Sequence, residues 1–141
     1  MEKKYKELLL KYICERLPYG IKASYYGVEE ECETLDEIEG VTLGEDFGGY
    51  VDIGQYSLPI ECIKPYLFTL SSMTEEQKKY ISNKCGINEE FYFEIDPNLG
   101  ECFVELGDTV DFIDWLNKNH FDYRGLIDKS LALDANGLNI Y

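Results

Sequence analysis

The stretch GIKASYYG, Gly20–Gly27, sets Ile21, Ala23 and Tyr25 at alternate positions with Lys22, Ser24 and Tyr26 between them. A period of two places successive side chains on opposite faces of a pleated strand, so one half of the octapeptide faces a core and the other half faces water. A glycine punctuates each end. The same grain continues to about Phe68. GGYVDIG (48–54) and SLPIECI (57–63) are further short strand-like pieces, and VEEECETL (28–35) as a strand carries Glu29, Glu31 and Glu33 on one solvent face. Pro59 confines its segment to a sheet edge or a bulge. Strands this short and this regularly spaced predict a small bent antiparallel sheet or partial barrel.

Helical periodicity flanks the sheet. Tyr5, Leu8, Leu9, Tyr12 and Ile13 recur at i, i+3, i+4, i+7 and i+8, which predicts a helix over 2–17 whose single apolar stripe packs on the sheet. Pro18 ends it and LPYG makes the turn. Further on, Thr74 with Gln77, or Ser72 with Glu75, has the spacing of a capping box at the start of a second helix, which Gly86 stops. FYFEIDPNLGECFVEL (91–106) reads as a hairpin. GDTVDFIDWLNKNH (107–120) reads as a helix with Asp108 as its N-cap and Phe112, Ile113, Trp115 and Leu116 on its apolar side. The tail SLALDANGLNIY (130–141) has an Asn-Gly turn between apolar runs and can close as a hairpin. No repeat or linker divides the 141 residues. The expectation is one α+β domain over 1–141, with an N-terminal helix and two further helices around the sheet.

Composition narrows the function. The longest apolar run, Leu8–Leu10, is far short of the roughly 18 residues that cross a bilayer, and no secretion signal precedes it. A cytoplasmic protein that does not engage membranes is expected. Five cysteines (14, 32, 62, 85 and 102), with no C-x-x-C and one histidine, read as reduced, mostly buried thiols acting as small hydrophobes rather than as a disulfide or zinc framework. The net charge of −15 is unevenly placed. From Ala23 to Ile63 there are eleven carboxylates and no Lys or Arg. A phosphate backbone therefore meets the wrong sign of charge, and direct nucleic-acid binding is disfavoured. Either a solvated face or a surface for a basic protein partner fits. The oligomeric state is not legible in the sequence.

NHFDYRGLI (119–127) holds the chain's only histidine and the second of its two arginines. His120 as base, with Asp122 as orienter and Arg124 beside them, is the candidate catalytic group. The nucleophile would have to come from elsewhere. The alternative is structural: a helix ends near His120, where a histidine suits the negative end of the dipole, Phe121 and Tyr123 anchor in the core, and Arg124 pairs with a carboxylate. Asp108, Asp111 and Asp114 fall near one helix face and are the candidate metal ligands, although aspartates in a first turn also serve as dipole partners. DPNLGE (96–101) lacks the spacing of a calcium loop and reads as a turn. Asp46-Phe47-Gly48 has no accompanying kinase segments, and the glycines at 40, 44, 48 and 49 match no nucleotide loop. No cofactor is expected.

IKPYLFTLSSMTEEQ (63–77), FIDWLNKNHFDYRGLIDKSLAL (112–133) and CERLPYGIK (14–22) resemble segments of a family of small uncharacterised proteins encoded in phages and prophage regions of Bacteroides-like gut bacteria. The chain departs from that family's pattern at Phe68, where an arginine is usual, and at Asn119, where a second histidine is frequent. Its DANGLNIY ending also differs. The resemblance implies a genomic setting and no mechanism. In that setting small acidic proteins can occlude host factors, sometimes by imitating the charge of DNA. The favoured reading is a non-enzymatic, acidic protein-binding module. The alternatives are a small enzyme using His120 with Asp122 and Arg124, and a carboxylate metal-binding protein.

Overall fold

The computed structural model describes residues 1–27, 34–44, 48–85 and 106–141, with the backbone alone at residue 85 and at 106–109. Among these residues the architecture is α+β: three α-helices with a mixed, open sheet of seven strands. The expected hairpin at 91–106, the stop at Gly86, the glutamates of 28–33 and the DPNLGE turn lie outside the described residues.

Helix α1 (Lys3–Cys14) buries Leu9, Tyr12 and Ile13 on the stripe its periodicity predicts. Each such side chain withdrawn from water stabilises the fold by about 1.5–3 kcal/mol. A 3-10 turn follows at Leu17–Tyr19, with Pro18 at its start and Gly20 closing it at φ 68°. Strand β1 (Lys22–Tyr25) runs antiparallel to both β2 (Thr34–Leu43) and β5 (Ile63–Thr69), so GIKASYYG forms an inner strand of the sheet. Ile21, Ala23 and Tyr25 are buried while Lys22 and Ser24 are partly exposed, as the alternation requires. Strand β2 pairs with β3 (Gly49–Ile53) across a bulge between Ile38 and Gly40, and β3 pairs with β4 (Tyr56–Pro59). Gly54, at φ 55°, opens the two-residue turn between β3 and β4. Strand β4 is an edge and ends at Pro59, which cannot donate to a further strand. SLPIECI is thus two elements, separated by a 3-10 turn at Ile60–Cys62.

The sheet is not purely antiparallel. Strand β6 (Phe121–Asp122) and strand β7 (Leu133–Asp134) both pair with β5 in parallel. These two-residue strands are too short to leave a periodic signal. The expected C-terminal hairpin does not form. The Asn136–Gly137 turn is present, closed by Leu138 N–H donating to the Ala135 carbonyl, but Ile140 bonds to Lys22 of β1 and Tyr141 to both β1 and β5.

Helix α2 (Glu75–Cys85) begins with a reciprocal capping box: Thr74 N–H donates to Gln77 Oε1 at 2.9 Å, and Gln77 N–H to Thr74 Oγ1 at 3.2 Å. Ser72, the other candidate cap, donates instead to the Thr69 carbonyl. Thr74→Ala leaves one helix donor without its acceptor and is expected to cost about 1 kcal/mol, read as a lower urea midpoint with an unchanged slope. Helix α3 (Leu106–Lys118) starts before Asp108, which therefore lies within the first turn instead of capping it. One core joins α1 to the sheet, and a second gathers Met73, Ile81, Phe112, Leu116 and Phe121 between α2, α3 and β6.

Candidate functional site

Among the described residues, a densely bonded buried polar group lies where α1 meets residues 117–127. Arg16 is fully buried on the continuation of the α1 stripe, one turn beyond Tyr12. Its guanidinium carbon sits 3.4 Å from the centroid of the Tyr12 ring, and Nη2 donates to the Phe121 carbonyl at 2.7 Å. The Tyr12 hydroxyl donates to the same carbonyl at 2.8 Å and accepts from Tyr123 N–H at 3.1 Å. Burial pushes the Tyr12 phenol far above its ordinary value, so this group stays neutral. Burial also lowers the Arg16 pKa, while Tyr12, Tyr123, Glu15 and Asp122 act against the shift. No carboxylate touches Arg16 among the described residues, and its Nε has no partner. The cation is held by a ring face and backbone carbonyls, with Asp122 one hydroxyl away through Tyr12.

The catalytic candidates occupy this region but face different surroundings. Asp122 is buried: Oδ1 accepts from Leu126 N–H at 3.0 Å and Oδ2 from Ile127 N–H at 2.8 Å. It closes the turn that follows β6. Arg124 pairs with Glu15 at 2.9 Å, and Glu15 also accepts from the Tyr123 hydroxyl. His120 bonds neither of them. Its ring stacks on Tyr141 with centroids 3.8 Å apart, it is 5% exposed, and Nδ1 has no partner. Burial, reinforced by the positive charge of Arg16, lowers its pKa to about 4, against a hydrogen bond to the Tyr19 backbone. A charged histidine at the helix dipole is therefore not what forms. The helix ends at Lys118 and His120 takes a left-handed conformation, φ 59°, as a neutral ring. Desolvation and a neighbouring cation outweigh the dipole here.

No nucleophile joins His120 among the described residues. The nearby Ser72 hydroxyl is committed to the Thr69 carbonyl, and Cys14, exposed against the expectation of a buried thiol, and the half-buried Cys62 have thiol pKa values raised by partial desolvation and a neighbouring glutamate. The groove beside His120, about 410 Å³, is lined by Phe68, Thr74, Gln77, Lys118, Asn136 and Tyr141, with no Asp or Glu among its described residues. The Tyr141 hydroxyl sits between two strands, accepting from Lys22 N–H at 2.9 Å and donating to the Tyr66 carbonyl at 2.8 Å.

Of the candidate metal ligands, Asp111 and Asp114 are exposed and line a separate groove of about 340 Å³ with Lys84 and Lys118. The side chain of Asp108 is outside the described residues. No group of three His, Cys, Asp or Glu suited to a metal occurs among the described residues. No helix there is long and apolar enough to cross a membrane.

Sequence reasoning placed Tyr12 on the buried stripe without a role for its hydroxyl, and passed over Arg16 and Tyr141. The signal for Arg16 was present, because it falls at i+4 from Tyr12 on the apolar stripe. Nothing local marks Tyr141. No family model matches the chain, and no curated protein or solved structure matches it significantly.

Proposed function

We propose that this is a non-enzymatic accessory protein of phage or prophage origin that binds a basic protein partner, from the host or the phage, through the acidic, aromatic-bearing side of its β2–β3 hairpin. The observation that carries this reading is the composition of that hairpin. Leu35 and Tyr50 are 48% and 47% exposed on the sheet face that also carries Glu37 and Asp52, opposite the face that buries Ile38, Val51 and Ile53, and Leu43 is 71% exposed at the end of β2. Large apolar groups left in water beside carboxylates are an ordinary feature of an interaction surface, and here Lys22 and Lys64 border the same face. The catalytic alternative has less support, since His120, Asp122 and Arg124 are each spent on a different structural contact.

The test is affinity capture from host lysate at low and high salt, with the wild-type chain and with Glu37→Lys/Glu39→Lys. A specific partner retained by the wild type is expected to lose about tenfold or more of its binding with the reversed charges, and to be released by salt. A partner held equally by both proteins, or no salt-sensitive partner at all, would sink the proposal.

A further inference from the structure

The aspartates at the Asp111–Asp114 spacing have a setting that metal chemistry does not explain. On α3, Asp111, Asp114 and Trp115 stand at i, i+3 and i+4 and so share one face. On α2, Tyr80 and Lys84 do the same at i, i+4. The two faces meet: the Tyr80 and Trp115 rings are 6.3 Å apart, and together with Tyr19 they line the groove of about 340 Å³ that holds both aspartates. Tyr80 is 52% exposed, so its ring is open to a visitor. The groove already shows which kind of visitor suits it, because the Lys84 ammonium lies 5.8 Å from the centroid of the Tyr80 ring. Lys84, Lys118, Asp111 and Asp114 make no ion pair within 4 Å among the described residues, so the carboxylates are available.

We propose that the groove between α2 and α3 receives an arginine side chain from a basic segment of a protein partner. A guanidinium is planar, stacks on aromatic faces and forks to carboxylate oxygens, so rings and two carboxylates in one groove match it better than they match an ammonium. The net charge of −15 draws a basic segment toward the protein, and within the groove, where Lys84 and Lys118 balance the two aspartates, the entering arginine takes the place of Lys84. On entry the arginine displaces Lys84 from the Tyr80 ring and bridges Asp111 and Asp114. The site is distinct from the β2–β3 surface, and each can fail without the other.

Trp115 is the only tryptophan in the chain, so its emission reports occupancy of the groove directly. The full-length protein is titrated with a capped Gly-Arg-Gly-Arg-Gly peptide and with its lysine and citrulline counterparts, citrulline being a neutral isostere of arginine. The arginine peptide is expected to change the emission saturably and the citrulline peptide to leave it unchanged. Asp111→Asn/Asp114→Asn, both exposed positions, is expected to weaken binding about tenfold, whereas Glu37→Gln/Glu39→Gln, which removes equal charge from the sheet, leaves it within about twofold. Lys84→Ala, which removes the resident cation, is expected to tighten it. Equal weakening by the two double variants, equal response to citrulline or to lysine, or no change in emission overturns the proposal.

Discussion

Asp122→Ala is expected to destabilise the protein by about 3–5 kcal/mol, the largest loss of any single substitution considered, because three kinds of damage coincide. The amides of Leu126 and Ile127 lose their only acceptors, at a site where Leu126 is fully buried. The Tyr12 hydroxyl loses one of its two acceptors. The fully buried Arg16 loses a nearby negative charge and keeps its desolvation cost. At about 3 °C per kcal/mol for a chain of this length, the melting temperature falls by roughly 10 °C or more. Asp122→Asn restores the shape and one acceptor but sets an amide N–H₂ against a backbone donor, so it recovers only part of the loss. A catalytic Asp122 predicts the opposite pattern, with stability near normal in both variants. Thermal unfolding of the two separates the cases.

A second large effect is carried by pH. His120 is neutral in the folded protein down to about pH 4, whereas in the unfolded chain its ring takes a proton near the ordinary value of 6.5. Between those two values the unfolded state binds more protons than the native state, so stability rises with pH across that window. The contribution is intact above about pH 6.5, declines as the pH falls toward 4, and is level below that. Over the whole window the loss amounts to about 2 kcal/mol once partial wetting of the ring is allowed for. His120→Asn removes the titrating group and retains a residue that tolerates the left-handed backbone. The variant's stability is expected to fall less steeply between pH 6.5 and 4. With one histidine in the chain, an NMR titration of its ring protons reads the native pKa without ambiguity, and a midpoint near 6.5 would rule out the buried, neutral ring.

Where a pattern spans many residues, the sequence was a good guide. The α1 stripe, the alternation of β1, the Thr74–Gln77 box and the apolar side of α3 are repeated local signals, and the structure follows each of them. What escaped was non-local or only two residues long. Strands β6 and β7 exist because the backbone of β5 offers partners at Phe68 and Leu67, and neither segment carries a period of its own. The candidate site was legible as residue types but not as geometry. His120, Asp122 and Arg124 are adjacent in the chain, yet a left-handed residue followed by a short strand sends their side chains into three environments. Arg16 was the reverse case. Its charge suggested solvent, while its place on the stripe pointed inward, and the stripe prevailed because Tyr12 and the Phe121 carbonyl accommodate the guanidinium.

The bonds that tie Tyr12 to Phe121 and Tyr123, and Lys22 to Tyr141, span 109 to 119 positions of the chain. On the ribosome, α1 and β1 emerge long before the residues that satisfy them. Until residues 121–141 follow, the arginine at the end of the α1 stripe has the Tyr12 carbonyl but not that of Phe121, and the late edge of β5 has neither of its parallel partners. The N-terminal third is thus committed to wait. Contacts this widely separated close late, so the sheet residues before position 70 cover most of the α1 stripe while its Arg16 end still waits for Phe121.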